Sequence, residues 1–189
     1  MIIQLETLES LISFNKEYAE SIFKEHKEFA PMIVGYTKDN KNRIAILGHF
    51  ENSDEKENWY RLASLIFLVN NVDKYVVMTE GWAVRSKENE TDEDLYKYGS
   101  LADHPNRMEV LSIVAVNKHG AKMSSIEIMP DKTLKPISDM EGYGIKGRIT
   151  ELLPSDPDYK PTKKDLDIAN TLIKLMSNKV SCNIEGLYI

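Results

Sequence analysis

Residues 107–116 form a nearly continuous apolar run, and residues 121–129 alternate well enough to pair with it across Asn117-Lys118-His119-Gly120. Two strand-like runs around a polar, glycine-bearing turn define an antiparallel hairpin. That hairpin constrains everything else, because other elements of the chain must bury its apolar side chains. The remaining periodicities supply those elements. Leu5, Leu8, Leu11, Ile12, Tyr18, Ala19, Ile22 and Phe23 recur at helical spacing, so the spacing predicts an amphipathic helix ending near Phe29, before Pro31. Residues 32–36 and 43–50 flank Lys38-Asp39-Asn40-Lys41-Asn42 and read as a second hairpin.

Asn52, Ser53 and Asp54 offer N-cap oxygens, with Glu57 three residues after Asp54 as a capping box requires. The helix they start carries Trp59, Leu62, Ala63, Ile66 and Val69 on one face and stops near Asn70-Asn71. Residues 74–85 read as a strand interrupted at Gly81, where a bulge or a close backbone approach is expected. Pro130 is expected to close the sheet. Residues 131–160, with Pro136, Pro154 and Pro157, are expected to be irregular apart from one short strand at 145–152. A last helix is announced by Pro161-Thr162 with Asp165 three positions after the Thr, and Leu166, Ala169, Leu172, Ile173 and Met176 give it an apolar face.

The order α-β-β-α-β-β-β-(β)-α is that of an α+β fold, a mainly antiparallel sheet of five to six strands with three helices. With 189 residues, 42% of them hydrophobic, the chain can fill one core as a single domain, 1–189, without a disulfide or metal. The single Cys182 agrees, and its neighbours Val180, Ser181 and Asn183 offer nothing to activate a thiol. No apolar run approaches bilayer length, and the start lacks a basic segment followed by an apolar one, so a cytoplasmic address and no membrane partner are expected.

The net charge of −6 disfavours direct nucleic-acid binding, which draws on Lys and Arg. Its location matters more. Glu88, Glu90, Asp92, Glu93 and Asp94 lie together without a base, in a loop near 87–100 that is expected to be mobile; they contribute −5 of the −6, so the rest of the chain sums to −1. Tyr96 and Tyr98 follow directly, in a polar stretch, whereas Trp59 and Trp82 stand at positions that favour the core.

The densest set of reactive side chains is Asp103-His104-Pro105-Asn106-Arg107-x-Glu109, leading into the strongest strand, on which Arg107 and Glu109 share a face. Glu80 and Arg85, with Trp82 between them, would join that set if the two long strands are neighbours. His104 could then act as a base oriented by Asp103 or Glu109, or a metal site could be made from His104, Asp103, Glu80 or His49. Backbone needs alone also explain a turn rich in Asp, Asn and Pro, with Arg107 and Glu109 as a structural ion pair, and this plainer reading is favoured. His26, His49, His104 and His119 stand far apart, with no spacing typical of metal ligands, so no metal and no cofactor is expected. Gly142-Tyr143-Gly144-Ile145-Lys146-Gly147 matches G-x-G-x-x-G by letter, but the preceding residues 134–138 make a poor parallel strand and no helix follows. A loop is expected, with an anion nest at Lys146 as the weaker alternative.

Glu80-Gly81-Trp82, followed by Ser100-Leu101-Ala102-Asp103-His104-Pro105-Asn106-Arg107-x-Glu109-Val110, resembles a pattern in short uncharacterised proteins of prokaryotes and their phages. The resemblance implies a bacterial or phage accessory protein and carries no activity or site residue. The leading expectation is therefore a non-enzymatic binding protein. It would dock on another protein with a basic surface through Trp82, Arg85, Glu88, Glu90, Asp92, Glu93, Asp94, Tyr96 and Tyr98. The alternative is a small hydrolase or nucleotide-binding enzyme using Glu80, Asp103, His104, Arg107 and Glu109. A third reading is a structural subunit that self-associates through an open sheet edge.

Overall fold

In the computed structural model the described residues are 6–38, 42–84, 97–137, 142–143, 148–156, 158–177 and 182–186. The elements run α1 (Leu8–His26), β1 (Met32–Thr37), β2 (Arg43–Gly48), α2 (Ser53–Val69), β3 (Val72–Val84), β4 (Arg107–Asn117), β5 (Gly120–Ile128), β6 (Leu134–Pro136), β7 (Gly142–Tyr143), α3 (Lys163–Met176) and β8 (Cys182–Gly186). Seven strands pair in the order β6-β5-β4-β3-β1-β2-β8, every neighbour antiparallel, and β7 pairs with β5 off this path. The fold is α+β with three helices, as the sequence implies, and the sheet has more strands than the five or six expected.

Alternation along the strands sends side chains to two cores. On one face Leu11, Ile12, Ala19 and Phe23 of α1 pack on Val34, Val76, Met78, Leu111, Ile113 and Ile126. On the other, Trp59, Leu62, Ile66 and Phe67 of α2 and Ile173 of α3 pack on Ile33, Ile46, Tyr75, Val77, Val114 and Val116. The sheet is thus the middle of three layers, and both hairpins foreseen from sequence form its centre.

The helix ends follow the capping logic with small displacements. Thr7 caps α1, its Oγ1 accepting the Ser10 N–H at 3.1 Å, and Lys27 closes it in the left-handed region, two residues short of Phe29. Asn52, rather than Asp54, caps α2, its side chain accepting the Glu55 N–H at 2.9 Å. Thr162 and Asp165 form the expected capping box of α3.

Three expectations are corrected. Gly81 lies in regular register opposite Val110, and a Cβ there would meet nothing within 4 Å; the irregularity in β3 sits instead at Tyr36/Thr37, opposite its first residues. The sheet does not close at Pro130, because β6, β7 and β8 extend it. These strands are two to five residues long and are defined by their pairing with β5 and β2, so no side-chain period announces them. The strand expected at 145–152 is not found: Arg148–Thr150 is a 3₁₀ turn, and 144–147 lie outside the described residues. That turn is anchored by the buried Tyr75, whose hydroxyl donates to the Ile149 carbonyl at 2.9 Å and accepts the Leu152 N–H at 3.3 Å.

Candidate functional site

β3 and β4 are the longest strands, at 13 and 11 residues, and they outrun the helix that covers them. On the α1 face the core stops near Met78 and Leu111. Beyond that line the register sets Glu80 opposite Leu111, Trp82 opposite Glu109 and Val84 opposite Arg107, all on one face by alternation. The four side chains Glu80, Trp82, Arg107 and Glu109, named from sequence, therefore come together.

Each has a defined partner. The Glu80 carboxylate accepts the Phe29 N–H just past the end of α1. Burial raises the Glu80 pKa above its ordinary value, with Glu109 adding to the rise, while the Phe29 hydrogen bond and Lys132 oppose it. Glu109 is bridged by Lys132 Nζ at 3.1 and 3.3 Å. The Arg107 guanidinium lies 4.9 Å from the centre of the Trp82 ring, a cation–π arrangement, and Trp82 is 43% exposed. The expectation of a core Trp82 is corrected: α1 ends too early to cover it. Trp59 is fully buried, as expected.

Asp103 and His104 occupy the turn that leads into β4. Ser100 Oγ donates to Asp103 Oδ2 at 2.6 Å. His104 is buried, its Nδ1 accepting the Asn106 N–H at 3.1 Å, and its ring meets the edge of the exposed Tyr98 at 4.9 Å. In the neutral ring the proton is then on Nε2. No hydrogen bond joins His104 to Asp103 or Glu109 among the described residues. Lys97 Nζ stands 5.1 Å from the Tyr98 ring.

Comparison with protein-family models, curated proteins and solved structures finds no match. Arg85, Glu88, Glu90, Asp92, Glu93, Asp94 and Tyr96 lie outside the described residues, as do 144–147 of the glycine-rich stretch, whose Gly142 and Tyr143 form β7 instead of loop. Among the described residues no three His, Cys, Asp or Glu side chains are grouped as metal ligands, and no helix is long and apolar enough to cross a membrane. Two contributors escaped the sequence reading. Lys132 is brought in by the β5–β6 turn, where Asp131 Oδ1 accepts from both the N–H and the hydroxyl of Thr133, and the Asp131-Lys132-Thr133 triplet was the available signal. The Phe29 N–H carries no sequence signal at all.

Proposed function

We propose that the protein is a non-enzymatic binding module, of the accessory or inhibitory kind implied for bacteria and their phages, that captures a basic surface of another protein. The observation that carries this reading is the exposed Trp82, stacked with Arg107 at the end of β3 from which the chain runs on into the acidic segment. Trp and Arg are the residues on which interface energy concentrates. The two are held in place by strand pairing, so little ordering is left to oppose binding. The five carboxylates at 88–94 supply attraction over about a Debye length, ~8 Å at physiological salt, and favour a basic partner. The enzyme alternative has less support, because Glu80, Asp103, His104 and Glu109 each already satisfy a structural partner and no acid orients His104 among the described residues.

The test compares capture from a bacterial lysate by the wild-type chain, by a variant with Glu88, Glu90, Asp92, Glu93 and Asp94 all replaced by Ser, and by Trp82→Ala. The expected result is a basic protein held by the wild type, released by salt and lost by both variants while their circular dichroism is unchanged. Equal capture by all three would sink the proposal.

A further inference from the structure

At the other end of the β3–β4 ladder, roughly 30 Å from Trp82 at about 3.3 Å per residue, a cleft of about 1090 Å³ opens on the α2 face. Its size is that of a small-molecule site, which runs to about 1,000 Å³. Five segments meet there: Lys38 just after β1, the end of α2 at Phe67 and Leu68, the start of β3, the β4–β5 turn, and residues from 148–156 and 158–161. The last of these is tied down, since Tyr75 holds Ile149 and Leu152, and Arg148 Nε pairs with Glu57 of α2 at 3.1 Å.

The lining offers three kinds of contact at once. Tyr159, a residue 41% exposed, presents an aromatic ring. Lys38, Lys118 and Lys160 are in the wall, each from a different segment, and make no ion pair among the described residues. The wall also holds four carboxylates. Asp156 accepts the Asp158 N–H at 2.9 Å, whereas Asp73 Oδ1, 3.9 Å from Lys74 Nζ, is buried without a hydrogen-bond partner among the described residues, so Asp73, Glu151 and Asp158 are the acceptors on offer. A bare oxyanion would meet those acids as well as the lysines, and an apolar molecule would strip water from both without replacing it. A mononucleotide answers all three, with a flat ring, exocyclic N–H donors and a phosphate.

We propose that this cleft binds a mononucleotide, its base stacked on Tyr159, its exocyclic N–H groups facing Asp73, Glu151 or Asp158, and its phosphate among the lysines. The site is independent of the docking end and survives if that reading fails.

Calorimetric titration with AMP tests it, alongside inorganic phosphate and Tyr159→Ala, Tyr159→Phe and Lys118→Ala variants. Tyr159 and Lys118 are exposed, so the fold is retained, which circular dichroism verifies. Saturable AMP binding is expected, weakened about tenfold by Tyr159→Ala through lost stacking and about tenfold by Lys118→Ala through a lost charged hydrogen bond. Tyr159→Phe keeps the ring but loses the hydroxyl's hydrogen bond to Asp165, and should bind AMP more tightly than Tyr159→Ala. No saturation, phosphate binding as tight as AMP, or affinity indifferent to Tyr159→Ala would overturn the proposal.

Discussion

Asn15 and Tyr36 show how much one polar pair matters inside an apolar layer. The Tyr36 hydroxyl donates to Asn15 Oδ1 at 3.0 Å, and Asn15 Nδ2 donates to the Leu11 carbonyl at 2.8 Å, all between α1 and β1. Burial pushes the Tyr36 pKa up, so the phenol stays a donor at neutral pH. Tyr36→Phe leaves Asn15 Oδ1 without its donor and should lower unfolding free energy by about 1–3 kcal/mol; urea denaturation measures it. Glu80 makes a pH-dependent counterpart. Its folded pKa is raised, so the folded state holds its proton longer than the unfolded one, and stability falls as pH rises through the window between the two values. Above that window Glu80→Gln should be the more stable protein, and below it the two should converge. Denaturation midpoints at acidic and neutral pH check this, and a wild type that is more stable at neutral pH would mean that the Phe29 and Lys132 contacts outweigh burial.

At the scale of the element, two glycines in the same sheet should respond oppositely. A Cβ on Gly35 of β1 would collide with the Phe67 ring of α2, so Gly35→Ala should cost about 1–3 kcal/mol. Gly81 faces open space in ordinary strand geometry, and Gly81→Ala should gain about 0.5–1 kcal/mol by restricting the unfolded chain. Thermal unfolding of the two variants separates them by sign. The same contrast marks what could be read from sequence. The helices and both hairpins were legible because amphipathic period and capping residues are local. β6, β7 and β8 were not, since strands of two to five residues are too short to show a period, and the partner of β8 lies roughly 140 residues away in sequence. At the exposed end of β3 and β4, alternation put Arg107 and Glu109 on one face from sequence alone. That Glu80 and Trp82 join them depends on cross-strand register, and that Trp82 is exposed depends on where α1 ends.

For the whole molecule, the charge distribution has a physical consequence apart from any partner. Removing the five carboxylates at 88–94 takes the net charge from −6 to −1 and leaves a nearly neutral body. The five-Ser variant should therefore show a solubility minimum close to neutral pH, because self-repulsion no longer keeps copies apart. Turbidity against pH for the two proteins measures it, and coincident curves would show that the segment contributes nothing to colloidal stability. A different consequence follows from the position of β8. It pairs along β2, with Ile44 opposite Gly186, so the strand completing that edge is synthesised roughly 140 residues after its neighbour. Contacts so remote form late and slowly. On the ribosome, the outer backbone of β2 must wait with its hydrogen-bonding groups open while everything between is made, an interval in which a chaperone or a neighbouring nascent chain can reach it.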